Sequence, residues 1–391
     1  MAKLIDITGK CISGEWGLDD NDGTGIPVLR TTNFTNDGIV NFSNVVTRQI
    51  NKKNLSDKYL KQGDIIIEKS GGSDNQPVGR VIYFDGQKNT YLFNNFTGLL
   101  RVADQTTWLP KYVFYALFAN YQNGGTKSFE NKTTGLHNLK IDSYVQSVDI
   151  KELSYEDQKH IVTFIDKITH LIFLRKQQLS KLDELVKSRF VELFGDPMTN
   201  SNGYVLKKYG DLFELNAGGT PSKQKSEYWD NGTISWIGSN MCQNTVIYEN
   251  DGNYITEEGL KHSSARMFPV DTVLIALVGA TIGKTALLKF ETTTNQNVLG
   301  VRGIRESGYT PEFIFHYTQG LYQKFLNIGD GGFAMASKGF ISELPVPVVD
   351  LALQEQFAAF VEQTDKSKFE IQKSLEKLET LKKALMQKYF G

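Results

Sequence analysis

The sequence predicts an α+β fold, in which two globular domains of mixed helix and strand alternate with two long helices. Three observations predict this class: an ungapped internal repeat, a heptad-like apolar series within it, and short strand patterns separated by Gly-, Asn- and Asp-rich turns. The chain has 391 residues, of which 40% are hydrophobic. That is enough for more than one core, so two or three domains are expected.

The repeat relates the middle of the chain to its end. Residues 158–195 align without gaps with residues 354–391, at an offset of 196 residues, and ten of the 38 aligned positions are identical. The identical pairs are Gln158 and Gln354, Phe164 and Phe360, Phe173 and Phe369, Leu179 and Leu375, Lys181 and Lys377, Leu182 and Leu378, Leu185 and Leu381, Lys187 and Lys383, Phe194 and Phe390, and Gly195 and Gly391. The match predicts two equivalent elements.

Each copy of the repeat has the pattern of a long helix. Apolar residues recur at alternating steps of four and three, which is the spacing of a coiled-coil seam. Gly195, followed by Asp196-Pro197, is a helix stop. A seam of this length needs a partner, so we expect each copy to pack on the other. The side chains expected in this packing are Ile161, Ile165, Ile168, Ile172, Leu179, Leu182, Leu185, Ile371, Leu375, Leu378, Leu381 and Leu385.

The segments before the two helices also resemble each other. Gly79-Arg80 in the first half matches Gly283-Lys284 in the second, and a helix is expected to begin near Pro110 and near Pro311. The predicted organisation is a domain over residues 1–152, a helical region over 153–197, a second domain over 198–348 and a second helical region over 349–391.

Several function classes lack their sequence signals. Two cysteines exclude a disulfide framework and a four-cysteine zinc site. The stretch Gly279–Thr285 has three residues between its glycines, where a phosphate loop needs four. Asp64, Glu68 and Lys69 lack the Glu-x-Lys spacing of a nuclease, and we expect them at a strand end on the surface. We predict no catalytic residue, no metal ligand and no cofactor. With no signal peptide and no apolar run of membrane length, a soluble cytoplasmic protein is expected.

The polar turns suggest binding. Asn and Gln side chains can pair with adenine edges, Arg and Lys pair with guanine or phosphate, and Gly allows close approach of a backbone. Ordinary turn chemistry explains each residue taken singly about as well. The net charge of −1 gives no indication of a nucleic-acid partner, and the local balance of basic and acidic residues counts against tight binding of DNA by the isolated chain. The turn Gly331–Lys338 belongs to the same group of polar segments.

The second half carries the clearest family signature. Gly218-Gly-Thr-Pro-Ser, Tyr228-Trp-Asp-Asn-Gly, Thr281-Ile-Gly-Lys and Thr294-Asn-Gln together resemble the target recognition domain of type I restriction-modification specificity subunits. The family plan of two recognition domains and two helices would cover essentially the whole chain. The first half departs from the pattern, since Gly14-Glu-Trp-Gly stands in place of Gly-Gly-Thr-Pro and Asn94-Asn-Phe in place of Thr-Asn-Gln.

The resemblance implies that the helices pack antiparallel with pseudo-twofold symmetry. It further implies that each domain reads one half of a bipartite, asymmetric site in double-stranded DNA. Two methyltransferase subunits would dock on the chain, restriction subunits could join them, and the chain itself would be non-catalytic. The residues expected at DNA are Gly14, Trp16, Arg30, Thr32, Asn33, Lys69, Ser70, Asn75, Gln76, Arg80, Asn94, Asn95, Gly219, Thr220, Ser222, Asn240, Thr281, Gly283, Lys284, Asn295, Gln296 and Lys338.

Two alternatives from other classes stay open on the sequence alone. One is a structural coiled-coil adaptor without a nucleic-acid function. The other is an enzyme, a methyltransferase or nuclease, whose active site the motifs do not reveal.

Overall fold

A computed structural model describes residues 1–133, 136–303, 308–328 and 335–391. Part of one predicted polar turn, residues 331–334, lies outside the described residues. The contacts divide the chain into two compact units: the first contains residues 1–176 and 373–391, and the second contains residues 177–372. The offset of 196 residues places Lys176 on Gln372, so both long helices are divided at equivalent positions. Each unit therefore combines one globular domain with the first part of one helix and the last part of the other.

The first unit has many short strands and few helices before its long helix. Its strands are β1 (Ala2–Lys3), β2 (Ile12–Ser13), β3 (Leu18–Asp19), β4 (Ile26–Leu29), β5 (Val46–Gln49), β6 (Ile65–Glu68), β7 (Ser70–Gly72), β8 (Val81–Tyr83), β9 (Leu92–Phe93), β10 (Thr97–Leu100), β11 (Glu130–Thr133), β12 (Leu136–Leu139) and β13 (Asp149–Ile150). Its helices are α1 (Leu4–Thr8), α2 (Pro110–Gln122), α3 (Ile141–Ser147) and the first part of α4 (Tyr155–Phe194). The predicted helix start at Pro110 is confirmed.

The sheets of the first unit pack around strand β6. One four-stranded sheet has the order β2-β10-β6-β8, and another has the order β3-β5-β4-β9, in which β4 and β9 run parallel. Smaller sheets have the orders β11-β12-β7 and β1-β13. Successive side chains of a strand point to opposite faces. Ile65 and Ile67 therefore join the core around helix α2, whereas Ile66 joins a second core with Leu29 and Phe93.

The second unit repeats this plan with different lengths. Its strands are β14 (Leu206–Lys208), β15 (Phe213–Ala217), β16 (Ile234–Ile237), β17 (Thr245–Ile247), β18 (Tyr254–Ile255), β19 (Met267–Phe268), β20 (Val273–Ala276), β21 (Thr285–Leu288), β22 (Thr292–Thr294), β23 (Val298–Gly303) and β24 (Pro345–Pro347). Its helices are α5 (Tyr209–Leu212), α6 (Glu257–Lys261), α7 (Pro311–Gly320), α8 (Tyr322–Leu326), α9 (Lys338–Ser342) and the first part of α10 (Leu351–Phe390).

The sheets of the second unit correspond to those of the first. The order β15-β23-β20-β21-β17 matches the first sheet around β6, and β16 pairs in parallel with β22 as β4 does with β9. Val273 and Ile275 of β20 join the core that contains Phe313 of α7, whereas Leu274 packs with Ile237 on the other face. Residues Gly279 to Lys284 lie between strands β20 and β21, and Thr285 begins β21, so the segment leads into a strand and not into the helix that follows a phosphate loop.

Within each unit, the parts of α4 and α10 pack antiparallel, as the resemblance implied. In the first unit, Ile161 and Phe390 pack in one core and Lys176 lies 3.2 Å from Glu379. In the second unit, the rings of Phe190 and Phe357 are 5.2 Å apart. There Lys368 forms an ion pair of 2.7 Å with Asp183. Helix α4 ends at Phe194, and Gly195 has a φ of 78°, which confirms the predicted helix stop.

The predicted helix packing is partly wrong. Ile161, Ile165, Ile168, Ile172 and Leu375 are buried, and Leu179, Leu182, Ile371, Leu378 and Leu385 are half-buried. Leu185 and Leu381, however, are 49% and 47% exposed. The residue of α4 that is buried after Leu182 is Val186. Steps of three and four alternate in a heptad pattern, and the step from Leu179 to Leu182 is three, so the next buried residue lies four positions on. Leu185 lies three positions on and is therefore exposed.

Candidate nucleic-acid interface

The motif Thr294-Asn295-Gln296 forms a turn that three backbone hydrogen bonds hold in the second unit. The N–H of Gly219 donates to Thr294 O at 2.8 Å, and the N–H of Asn295 donates to Ile237 O at 3.1 Å. The N–H of Leu277 donates to Asn297 O at 2.8 Å. The three hydrogen bonds hold the turn between β22 and β23 in place, and the amide side chains of Asn295 and Gln296 reach the surface of the unit.

The first unit contains the same turn, with the same three bonds, at residues 93–96. The N–H of Glu15 donates to Phe93 O at 2.8 Å, that of Asn94 to Leu29 O at 2.9 Å, and that of Lys69 to Phe96 O at 2.8 Å. The structural equivalence of Asn94 with Asn295, which the departing sequence left open, follows from these bonds. We name residues 93–96 the first turn and residues 294–297 the second turn.

A glycine lies under each turn for a steric reason. A Cβ atom on Gly14 would overlap the carbonyl oxygens of Phe93 and Asn94, and one on Gly218 would overlap the carbonyl oxygens of Thr294 and Asn295. Gly14 is therefore the structural counterpart of Gly218, and both allow the turn to approach the preceding strand. Close approach of the protein's own backbone explains these glycines.

Four of the residues predicted to contact DNA in the second unit lie in or beside two separate groups of hydrogen-bonded side chains. The hydroxyl of Thr220 donates to Gln296 Oε1 at 2.5 Å. The Lys284 ammonium donates to Gln243 Oε1 at 3.0 Å, and the Gln243 amide donates to Asn240 O at 3.0 Å. The side chains of Thr220 and Lys284 are thus positioned by polar contacts, the backbone carbonyl of Asn240 accepts from Gln243, and all three residues keep access to solvent.

The two predicted basic residues after the matching glycines have different surroundings. Arg80 forms two hydrogen bonds with the buried carboxylate of Glu68, at 2.9 and 3.0 Å, and donates to Thr31 O at 3.3 Å. The bonds to Glu68 raise the pKa of Arg80. The strand position of Glu68 is taken by Ala276 in the second unit, so Lys284 has no equivalent carboxylate there. Arg80 therefore has a structural role in pairing with Glu68, and its predicted contact with DNA stays a prediction.

Several other predicted contacts are buried and serve the fold. The Asn33 amide donates to Asn41 O and Asn44 O, and its Oδ1 accepts from the N–H of Arg30. Asn94 is 4% exposed, so its side chain faces inwards although its turn reaches the surface. Asp64 and Glu68 are also buried, in ion pairs with Arg101 and Arg80, rather than at a surface strand end as predicted.

Two predicted glycines are explained by packing rather than by DNA. Gly283 is buried with a φ of 73°, and a Cβ atom there would lie 2.5 Å from Phe325. Its counterpart Gly79 has a φ of 108° and faces Thr126. A Cβ atom on Gly219 would overlap Ser264. The prediction that DNA approaches the backbone at Gly283 is wrong, because Phe325 occupies the space beside this glycine.

The other predicted contacts keep at least part of their surface accessible. These are Trp16, Arg30, Thr32, Lys69, Ser70, Asn75, Gln76, Asn95, Thr220, Ser222, Asn240, Thr281, Lys284, Asn295, Gln296 and Lys338. Their contacts with DNA stay predictions. The Arg48 guanidinium lies 4.2 Å from the centre of the Trp16 ring. Lys69 donates to Ser13 Oγ at 2.9 Å, and burial lowers the pKa of Lys69.

The sequence search missed Phe96, which is 50% exposed at the end of the first turn. Polar side chains define the contacts predicted from the sequence, and Phe96 is apolar and belongs to the segment that departs from the Thr-Asn-Gln pattern. Alignment of the two halves on their turns, rather than on identical residues, would have singled it out.

Within the described ranges, no group of three or more His, Cys, Asp or Glu side chains is arranged to hold a metal ion. No helix in the part of the chain that the structure describes is long and apolar enough to cross a membrane.

Two equivalent units, each with an anchored turn and with parts of two long helices, define a protein built from an internal duplication. A family model described as "Type I restriction modification DNA specificity domain" matches residues 1–184 and again residues 202–383. The chain belongs to this family of specificity subunits of type I restriction-modification systems.

Curated relatives agree over part of their length. The chain is 30% identical over 225 residues to the EcoR124I/EcoR124II specificity subunit of Escherichia coli, covering 55% of this chain and 52% of that protein. It is 30% identical over 165 residues to the MjaIX specificity subunit of Methanocaldococcus jannaschii, covering 41% and 37% of the respective chains. The chain thus spans about half or less of the length of these relatives.

Solved structures show the same fold over the whole chain. The type I restriction-modification S subunit from M. genitalium has a TM-score of 0.60 at 15% identity, covering all of this chain and 95% of that one. A chain from a type I restriction-modification complex has a TM-score of 0.58 at 15% identity, covering all of this chain and 96% of that one. The comparisons do not favour the adaptor and enzyme alternatives.

Proposed function

We propose that each unit of this specificity subunit reads one half of a bipartite, asymmetric target in double-stranded DNA. The observation that carries the proposal is the pair of equivalent turns, which have the same backbone anchors and different side chains. Asn94 and Asn295 are identical, whereas the accessible side chains that follow them are Asn95 and Phe96 in the first turn and Gln296 and Asn297 in the second. Two turns with the same backbone hydrogen bonds but different exposed side chains are suited to recognising two different base sequences.

We further propose that the long helices dock two methyltransferase subunits, with restriction subunits as further partners. Phe173 and Phe369 occupy equivalent positions and are 54% and 66% exposed. Leu185 and Leu381 are likewise equivalent and about half exposed. Apolar residues that are identical in both copies and accessible to solvent suit a surface that binds the same partner twice.

The chemistry in this proposal belongs to the partners. The methyltransferase subunits would transfer the methyl group to adenine, one in each half-site, while this chain selects the sequence. This chain would contribute hydrogen-bond donors and acceptors on its turns, and cations such as Lys284 for phosphates.

The decisive experiment is to reconstitute the chain with its methyltransferase subunit and to sequence the methylated positions in exposed genomic DNA. Methylated adenines within one two-part asymmetric sequence support the proposal. Methylation without a sequence preference, or methylation by this chain alone, contradicts it.

A second experiment tests the docking surface separately. Leu185→Ala combined with Leu381→Ala should weaken binding of the methyltransferase subunit at least tenfold by calorimetry. Val191→Ala is the matched control, because Val191 is 46% exposed on α4 and its equivalent in α10 is the polar Gln387. Equal affinities for the double variant and the control would exclude these leucines from the docking surface.

A further inference from the structure

The inference concerns Phe96, the last residue of the first turn, whose side chain is 50% exposed. Its backbone is held firmly, because Phe96 O accepts hydrogen bonds from the N–H groups of Lys69 at 2.8 Å and Ser70 at 3.1 Å. The following residue, Thr97, is fully buried. The backbone at Phe96 thus anchors the turn, while the phenyl ring is left partly in water.

A large apolar side chain on a polar turn needs a reason. In the second turn, the structurally equivalent residue is Asn297, because Leu277 N–H donates to its carbonyl as Lys69 N–H donates to that of Phe96. Asparagine at this position shows that the turn forms without an aromatic ring. The ring of Phe96 is therefore not required by the turn, and it distinguishes the surface of the first unit from that of the second.

The surroundings of the first turn favour DNA as the group that covers this ring. Lys69 adjoins the turn through its backbone N–H, and its pKa is lowered mainly by burial and further by the ammonium group of Lys58. Lys52 and Lys58 share the carboxylate of Glu15 at 2.6 and 2.5 Å. Asp142 is the other carboxylate near Lys69. Three ammonium groups against two carboxylates suit a surface that faces phosphates.

A phenyl ring cannot pair with the hydrogen-bonding edge of a base. The apolar group that the major groove presents is the C5-methyl of thymine, and aromatic side chains contact it directly. We propose that Phe96 contacts the C5-methyl group of a thymine in the half-site read by the first unit, and so makes that unit select an A·T pair. This inference rests on the proposed function, since it assigns one contact within that recognition.

The test replaces thymine by uracil, which differs only by the absent methyl group. The probe is a duplex with the target found by methylation sequencing, with uracil placed at one thymine at a time in both half-sites. The wild-type chain with its methyltransferase subunit should bind about fourfold more weakly at one uracil position, the factor for burial of one methyl-sized group. Phe96→Ala should bind the thymine and uracil duplexes equally at that position, and Phe96→Leu should keep part of the difference.

Asn297→Ala is the matched control, because it alters the equivalent residue of the other turn. It should keep the wild-type difference between thymine and uracil at the Phe96 position. The inference is overturned if no uracil position weakens wild-type binding, or if Phe96→Ala keeps the full difference. It is also overturned if Phe96→Ala loses only the methyltransferase subunit, since the ring would then belong to a protein interface. Failure of the proposed function looks different, because the wild-type complex would then show no sequence-selective methylation.

Discussion

The side-chain carbonyl of Gln158 accepts a hydrogen bond of 2.9 Å from the backbone N–H of Leu109, directly before helix α2. The amide of Gln158 donates to Thr107 O at 2.9 Å and to Leu153 O at 3.1 Å. Gln354 makes the same three bonds in the second unit, with the N–H of Thr310, Gly308 O and Val349 O. Both glutamines are buried, and each connects the start of a long helix to the loop before the domain helix.

Gln158→Ala and Gln354→Ala should therefore destabilise the chain by similar amounts. Each substitution removes three hydrogen bonds between a buried side chain and partly buried backbone groups, and a backbone group left without its partner costs about 1–3 kcal/mol. Urea unfolding followed by circular dichroism measures the effect, with exposed Gln177→Ala as control at under about 0.5 kcal/mol. A glutamine variant as stable as the control would show that water replaces these bonds.

The repeat allowed much of this arrangement to be predicted. It identified Gln158 and Gln354 as equivalent, and the heptad spacing located both long helices within a few residues of their ends. The burial of individual side chains could not be predicted, because Asn33, Asn94 and Glu68 are polar in sequence and buried in the fold. Their burial depends on distant partners, such as Arg80 for Glu68, that no local pattern reveals.

A buried and an exposed apolar residue of the helices should respond differently to truncation. Ile165 is fully buried in the first unit, so Ile165→Ala should cost about 2–5 kcal/mol. Leu381→Ala should cost under about 0.5 kcal/mol, because this side chain is already half exposed. Thermal unfolding of the two variants checks the contrast, and equal losses would contradict the assignment of Leu381 to the surface.

Replacement of Lys284 should change the salt dependence of DNA binding, whereas replacement of Arg80 should change the stability of the chain. Lys284→Ala should reduce the slope of log affinity against log salt by about one phosphate contact. Lys366→Ala is the control, since Lys366 pairs with Glu362 on α10 and should leave the slope unchanged. Arg80→Ala should instead destabilise the chain by about 3–5 kcal/mol, because it leaves the buried Glu68 carboxylate unpaired. An unchanged salt slope for Lys284→Ala would refute its phosphate contact.

His316 should make the second unit sensitive to mild acid. Burial among aromatic rings lowers the pKa of His316 to about 3, with Lys368 and Lys187 lowering it further and Asp183 opposing them. Between this value and an unfolded pKa of about 6.5, the unfolded chain binds more protons, so stability falls as the pH drops below about 6.5. The loss cannot exceed about 1.4 kcal/mol per pH unit, because His316 binds a single proton, and the partial contact of its side chain with solvent keeps the loss below this limit.

His316→Phe should remove this contribution, whereas His262→Gln, at an exposed position, should not. Melting temperatures at pH 7.5 and pH 5 give the comparison for each variant. If wild type and His316→Phe lose the same stability on acidification, other groups cause the acid sensitivity.

The division of the chain at Lys176 and Gln372 bears on whether half of it can work alone. A chain of residues 1–200 lacks the segment 373–391 that completes the first unit, but it carries the equivalent segment 177–195. A second copy can supply that segment to the first, because the repeat aligns without gaps and two identical chains can exchange equivalent segments about a twofold axis.

The exchanged side chains are compatible with the first unit. Phe390 packs 5.3 Å from the ring of Tyr112, and its equivalent Phe194 is identical. Glu379, which pairs with Lys176, is replaced by Asp183, and the charge is kept. Lys382, whose pKa is lowered by burial, is replaced by Val186, which removes the cost of burying an ammonium group.

Residues 1–200 should therefore dimerise and, with the methyltransferase subunit, methylate a palindrome made of the first half-site twice. Light scattering gives the mass, and sequencing of methylated sites gives the target. Phe194→Ala should weaken the dimer by at least tenfold, because in the dimer this ring takes the place of Phe390 against the partner copy. Val191→Ala is the control and should not weaken the dimer, because Val191 is exposed. A folded monomer, or methylated sites that stay asymmetric, would mean that the repeat no longer supports a symmetric pairing.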